Sequence, residues 1–303
     1  MQFRRLLKPL RHPIVYTRQL INEIKNDLIT ISGQADYDCH LIFIAGLPKS
    51  GTSWLEKLVS EIPGYIQLNG SFLRHFHGAH KLEHSHGVNR EMLNSAPKNR
   101  YSFIKLHTHY DEIYINVLDE LKLRPTILIR DPRDMLISRY YHVMADPNHW
   151  QYGNINSLPF EKGFEKSLFG ISYEDSMDVI NYYTNWVLDW YNYTETHKEK
   201  CFLMRFEDMK NDLFLTYKFF LSYYNFSFTD SFIKEMIENQ KAKHVNQKNL
   251  SKNLNLPGRM QTTYRKGLTG EWKNLFIKSH KDIVKDIAGD LLIKLGYEKN
   301  LEW

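Results

Sequence analysis

Residues 41–54 read Leu-Ile-Phe-Ile-Ala-Gly-Leu-Pro-Lys-Ser-Gly-Thr-Ser-Trp, an apolar run that ends in a Pro-Lys-Ser-Gly-Thr turn and passes into the amphipathic stretch Leu55 to Ile62. A short continuous apolar run bounded by turn residues predicts a strand buried on both faces, here Leu41 to Ala45. A strand that feeds a glycine-containing turn and then a helix aims free backbone N–H groups and the helix N-terminus at one point, which suits an anion and above all a phosphate. Lys49, Ser50, Gly51, Thr52, Ser53 and Trp54 surround that point.

The spacing from Gly46 to Gly51 is that of the P-loop of nucleotide triphosphatases, but Thr52 follows the second glycine where that motif needs lysine. The turn's only lysine is Lys49. Such a loop holds phosphates with its cation displaced and without a Walker-type magnesium arrangement. A second buried-type strand, Thr126 to Ile129, ends at Asp131-Pro132, and Asp134 to Tyr141 then has helical spacing. Arg130 at the strand end and Ser138 on the helix can converge on one phosphate, the guanidinium as a planar fork and the hydroxyl as a compact donor. A third strand, Ser102 to Leu106, carries Lys105 and leads to His107 and His109, which alternation places on one face. A neutral imidazole there can take a proton near pH 7. A fourth strand is expected over Cys201 to Arg205.

These segments, in this order, resemble the cytosolic-type sulfotransferases that use PAPS (3′-phosphoadenosine 5′-phosphosulfate), whose 5′-phosphosulfate loop reads Pro-Lys-Ser-Gly-Thr-Thr/Ser-Trp. Tyr264 to Asn274 is similar to the family's C-terminal Arg-Lys-Gly-x-x-Gly-Asp-Trp-Lys-Asn, with Glu271 for aspartate. The resemblance spans about residues 40 to 300. It implies an α/β, three-layer, P-loop-like fold with a central parallel sheet flanked by helices. It implies transfer of a sulfuryl group from PAPS to a hydroxyl or amine of a small-molecule or glycan acceptor, releasing PAP, without a metal. It also implies residue roles. Arg130 and Ser138 are the 3′-phosphate ligands, and Arg265, Lys266 and the Gly267 backbone close over the same phosphate. Lys49 bears on the bridging oxygen, and Trp54 stacks on the adenine. Lys105 and His107 match the family's Lys-Thr-His, with Leu106 for threonine, which makes His107 the general base and His109 its rival. Phe206 stands where the family has tyrosine, so it keeps the packing and loses a hydroxyl.

With 303 residues, 42% hydrophobic and 25% charged, the chain can build one large α/β core. No linker, repeat or low-complexity tract divides it. The expectation is a single domain over 1–303, with 1–38 as a helical arm that Pro9 and Pro13 keep from being one long amphipathic helix. Cys39 and Cys201 cannot make a disulfide framework, and neither a signal peptide nor a membrane-spanning stretch is legible, which points to the cytoplasm. The net charge of +5 is modest and dispersed, and a polyanionic co-substrate accounts for Lys49, Arg130, Arg265 and Lys266 without nucleic acid. The aromatic series Tyr182, Tyr183, Trp186, Trp190, Tyr191 and Tyr193 has the spacing of a helix buried in the core. The histidine-rich stretch His75 to His86 is expected to be an acceptor-facing loop rather than a zinc site. Further acceptor loops are expected near 145–170 and 240–260. Ile277-Lys278 replaces the Thr-Val of the family's short dimer motif, which leaves the oligomeric state open. Two other readings compete: a P-loop-type nucleotide kinase or ATPase, and a PAP-binding non-catalytic module.

Overall fold

The structure is a computed structural model that describes residues 21, 24–26, 28–30, 32, 36–68, 87–169, 177–253 and 267–303, with the side chains of 244–253 set aside. Its centre is a five-stranded sheet in the order β2-β3-β1-β4-β5. The strands are β1 (Leu41–Gly46), β2 (Tyr65–Gln67), β3 (Tyr101–Leu106), β4 (Pro125–Ile129) and β5 (Phe202–Arg205). Every pairing is parallel, with Ile44 opposite Lys105 on one side of β1 and Gly46 opposite Leu128 on the other. Parallel sheets are buried on both faces, and all of β1 is buried.

Side-chain alternation sorts the core into two layers. Ile42, Ile44, Tyr101, Phe103 and Leu128 face α1 (Thr52–Val59) through Leu55, Leu58 and Val59. Helices α9 (Leu213–Tyr223) and α10 (Asp230–Asn253) pack in the same layer. Phe43, Ala45, Ile104, Leu106, Ile127 and Ile129 face the other layer, built on α3 (Glu112–Glu120), α4 (Pro132–Met144), α7 (Val179–Thr196) and α12 (Lys278–Lys294). The short helices α2 (Arg90–Asn94), α5 (Tyr152–Ile155), α6 (Phe160–Leu168), α8 (Phe206–Asn211) and α11 (Trp272–Leu275) complete the described elements. Because α1 leaves β1 to one face and α3 leaves β3 to the other, the chain parts at the carboxyl ends of these central strands. That is where open α/β sheets bind ligands.

The sequence-based strands are present within a residue at each end. The first helix begins at Thr52 rather than Leu55 and ends at Val59 rather than Ile62, because the glycine turn itself serves as its start. Residues 145–170, expected as an acceptor loop, hold α5 and α6 instead. Phe164 and Leu168 anchor α6 in the core, an apolar spacing that the surrounding Glu and Lys residues disguise. Of the stretch 240–260, residues up to 253 continue α10. The described residues 24–26 and 28–30 of the N-terminal arm are helical, and Asn26 ties the arm to the sheet edge through the Tyr65 carbonyl and the Gly64 N–H. The stretch His75 to His86 lies outside the described residues.

Candidate active site

Four strand ends deliver the candidate residues. At the end of β1 the chain turns sharply: the Ser50 N–H and hydroxyl both donate to the Leu47 carbonyl, at 3.2 and 2.7 Å. Lys49 and Gly51 take left-handed φ values of 75° and 98°. Gly51 has no substitute here, since a Cβ would stand 2.5 Å from the Phe206 ring. Gly46 is equally confined, its Cβ position lying 2.6 Å from the Thr52 methyl. The first intrahelical donors of α1 are the Trp54 and Leu55 N–H groups, both bonded to the Gly51 carbonyl. The amides of Thr52 and Ser53 precede them at the helix N-terminus, where helices bind anions. Trp54 lies edge-on to Phe206 with ring centres 5.9 Å apart, and its indole N–H donates to Gln240 of α10 at 3.2 Å.

Arg130 leaves the end of β4 and is 5% exposed. Its two terminal nitrogens donate to the Lys49 carbonyl at 3.0 Å and to the Leu268 carbonyl at 2.8 Å, and its guanidinium lies over the Phe206 ring at 4.5 Å. The buried Nε has no hydrogen-bond partner among the described residues. Burial works against this charge, and the carboxylates of Asp134, Glu207, Asp131 and Glu271 work to keep it. A desolvated guanidinium held to two carbonyls, with a donor still unmatched, suits an anionic group such as the 3′-phosphate. Ser138 is half-buried one turn beyond Asp134 on α4. Gly267 has a left-handed φ of 60°, and the adjoining Leu268 carbonyl meets Arg130, so the structure brings this segment to the β4 end. Arg265 and Lys266 lie outside the described residues.

At the end of β3, His107 is buried and its Nδ1 lies 2.5 Å from the Gly46 carbonyl. A carbonyl only accepts, so Nδ1 carries a proton, and in the neutral ring Nε2 is then the nitrogen with the lone pair. Lys105 Nζ is 3.4 Å from that Nε2. The expectation that alternation puts His109 on the same face fails, because β3 ends at Leu106. His109 instead turns to Asp111 at 4.0 Å and to the edge of Tyr114. Between the two histidines, buried Thr108 is pinned by Trp186 and Trp190 of α7, both of whose indole N–H groups donate to its carbonyl at 3.0 Å. The aromatic series on α7 is therefore core, and it also fixes the segment that carries His107.

Several supporting residues carry no spacing that would mark them in advance. Asp134 accepts from the Gly270 N–H at 2.6 Å and the Trp272 N–H at 3.1 Å, which ties the C-terminal segment to α4. Glu207 accepts from the Asp131 N–H at 3.0 Å and the Tyr297 hydroxyl at 2.8 Å. Burial raises the carboxyls of both Asp134 and Glu207 above their ordinary range. Arg133 is buried between the rings of Trp272 and Trp303, at 3.7 and 4.5 Å, and pairs with Asp131 and Glu298. The one available signal was the string Asp131-Pro-Arg-Asp134 directly after a strand, charge packed where a helix begins.

Comparison with known proteins identifies the family and the fold. The family model for the sulfotransferase domain matches residues 40–296. The chain is 23% identical to sulfotransferase 2A6 of Mus musculus, covering 91% of this chain and 90% of that one. It is 24% identical to a flavonol sulfotransferase-like protein of Flaveria bidentis, over 84% of this chain and 82% of that one. The crystal structure of mouse sulfotransferase SULT7A1 complexed with PAP superposes with a TM-score of 0.60 at 19% identity, covering 88% of this chain and 89% of that one. Retinol dehydratase in complex with androsterone and PAP gives a TM-score of 0.54 at 17% identity, with 84% and 80% covered.

Proposed function

Because the chain belongs to the sulfotransferase domain family and is a PAPS-dependent sulfotransferase, we propose that it transfers the sulfuryl group to a hydroxyl or amine of a small-molecule or glycan acceptor, with His107 as general base. PAPS supplies the sulfuryl group and leaves as PAP. The carrying observation is the contact of His107 Nδ1 with the Gly46 carbonyl: with an Nδ1–H spent there, Nε2 of the neutral ring is the nitrogen that takes the acceptor's proton. His107 is thereby oriented by the same strand end that begins the phosphate turn, so proton acceptor and phosphate site share one rigid support.

In this reading the backbone of Lys49, Ser50, Gly51, Thr52 and Ser53 holds the 5′-phosphate, and Lys49 stabilises charge on the departing oxygen. Lys105 beside the base answers the charge on the transferring group. Arg130, Ser138, Arg265, Lys266 and Gly267 hold the 3′-phosphate, and Trp54 and Phe206 take the adenine. The whole is one domain with an N-terminal arm, acting in the cytoplasm with Cys39 and Cys201 as free thiols. No helix among the described residues is long and apolar enough to cross a membrane. A small-molecule acceptor accords with relatives such as the flavonol sulfotransferase-like protein.

The test is a screen of phenol, steroid, alkaloid, lipid and sugar acceptors with sulfur-labelled PAPS. Label should move to at least one class, and PAP should compete. ATP hydrolysis in place of transfer would support the kinase or ATPase reading, and tight PAP binding with no transfer to any class would leave a binding module.

A further inference from the structure

Helix α12 ends in a turn whose residues reach back to the strand end that carries Arg130. Gly296 takes a left-handed φ of 74°. Its N–H donates to the Ile293 carbonyl and the Tyr297 N–H to the Leu292 carbonyl, both at 2.9 Å. That pair of bonds satisfies the last carbonyls of a helix while a glycine reverses the chain. Arg205 of β5 caps the Leu295 carbonyl at 2.6 Å, and its guanidinium lies 5.6 Å from the centre of the Tyr297 ring. The next two side chains then meet partners beside Arg130: the Tyr297 hydroxyl donates to Glu207 Oε2 at 2.8 Å, and Glu298 pairs with Arg133. Both lines end on Asp131. Glu207 Oε1 accepts the Asp131 N–H at 3.0 Å, and Arg133 holds the Asp131 carboxylate at 2.8 Å.

The N–H that Glu207 accepts belongs to the peptide bond joining Arg130 to Asp131. Glu207 also directly follows Phe206, whose ring lies under the Arg130 guanidinium at 4.5 Å. One carboxylate therefore holds the arginine at its main chain and fixes the residue on which its charged end rests. We infer that Tyr297 is a positioning residue for the 3′-phosphate site: its hydroxyl locks Glu207, and through Glu207 it sets the direction of Arg130. This rests on the proposed role of Arg130. A guanidinium captures a phosphate as a planar fork, so its direction decides how many of its donors reach the ligand. Without the hydroxyl, Glu207 Oε2 loses a donor and the carboxylate is free to turn, which loosens the Arg130–Asp131 peptide and the Phe206 ring together. Tyr297 touches no ligand atom in this scheme and acts through Glu207 and Arg130.

Calorimetric titration of Tyr297→Phe with PAP and with 5′-AMP tests this, since the substitution removes the hydroxyl and keeps the ring beside Arg205. PAP affinity should fall by about three- to tenfold, the effect of one hydrogen bond. Affinity for 5′-AMP, which lacks the 3′-phosphate, should stay at the wild-type value, so the preference for PAP narrows. In an Arg130→Ala background, Tyr297→Phe should cost PAP nothing further, because a residue that acts through another is silent once that one is gone. An unchanged preference for PAP, an equal weakening of both ligands, or losses that multiply with Arg130→Ala would overturn the inference and leave the site reading standing. An Arg130→Ala protein that prefers PAP as strongly as the wild type would overturn the site reading itself, and the inference with it. If Tyr297→Phe fails to fold, Glu207→Gln keeps an oxygen acceptor for only one of the two donors and should narrow the preference in the same way, with the same silence in the Arg130→Ala background; an unchanged preference there would equally overturn the inference.

Discussion

The proposed base His107 is held by a hydrogen bond from its ring to the main chain. Its Nδ1 meets the Gly46 carbonyl, and in the proposed role a positioned base is worth about 10² to 10⁴ in rate. His107→Ala should lose that factor in kcat and still bind PAP nearly normally by calorimetry, because the phosphate contacts belong to other residues. His109→Ala should keep most of its rate, its ring being turned to Asp111 and Tyr114. The opposite ranking would move the base to His109. Glu207 gives a prediction in pH. Burial raises its carboxyl above the ordinary value of about 4.3, so between that value and the raised one the folded state holds more protons than the unfolded state. Stability contributed there is full at low pH and is lost as pH rises through the raised value. Glu207→Gln should flatten that decline in urea midpoints measured from pH 4 to 8, with a remainder from Asp134, which is shifted the same way. An unchanged slope would show that Glu207 does not carry it.

Among the elements, the phosphate turn is the most constrained and was the most legible. Apolar runs marked four of the five strands, all but the three-residue β2, and glycine spacing marked the turn, because both are local signals that need no partner. The Lys-x-His register was legible for the same reason. His109 was misplaced because alternation holds only while the strand continues, and nothing in the residues from Leu106 onward says where it stops. The bonds from Arg130 to the Leu268 carbonyl and from Asp134 to the Gly270 and Trp272 N–H groups join residues far apart in the chain. No spacing encodes them. Nor was α6 legible, since its apolar positions are interleaved with Glu and Lys. The turn carries its own prediction. Gly51→Ala must hold alanine at a φ of 98° against the Phe206 ring, at about 1–2 kcal/mol for the backbone alone. The displaced ring also underlies Arg130. The variant should therefore melt earlier and bind PAP more weakly, and retention of both would mean that the turn relaxes without loss.

Across the whole molecule, three segments distant in sequence meet at the end of β4. Arg130 grips the carbonyl of Lys49 in the phosphate turn and that of Leu268 in the C-terminal segment. Asp134 and the caged Arg133 secure the latter from behind. The two arginines divide the labour: Arg133 has carboxylate partners and aromatic walls, whereas Arg130 has carbonyls and one buried donor unmatched among the described residues. A ligand that binds only the folded state stabilises it by RT ln(1 + [L]/Kd), about 2.7 kcal/mol at a hundred times Kd. Charge-assisted bonds contribute on the order of 1.5 to 3 kcal/mol each, so Arg130→Ala should weaken PAP at least about tenfold. At the same PAP concentration its stabilisation should then fall to about 1.4 kcal/mol or less. Arg133→Met should behave differently. Stripping Asp131 and Glu298 of their cation should destabilise the free protein by about 3–5 kcal/mol, while the PAP-dependent gain stays close to wild type. Urea unfolding with and without PAP, alongside 5′-AMP as the ligand that lacks the 3′-phosphate, separates these outcomes. Arg130→Ala should bring the response to PAP down toward the response to 5′-AMP, and if the two ligands remain as distinct as in the wild type, Arg130 does not hold the 3′-phosphate.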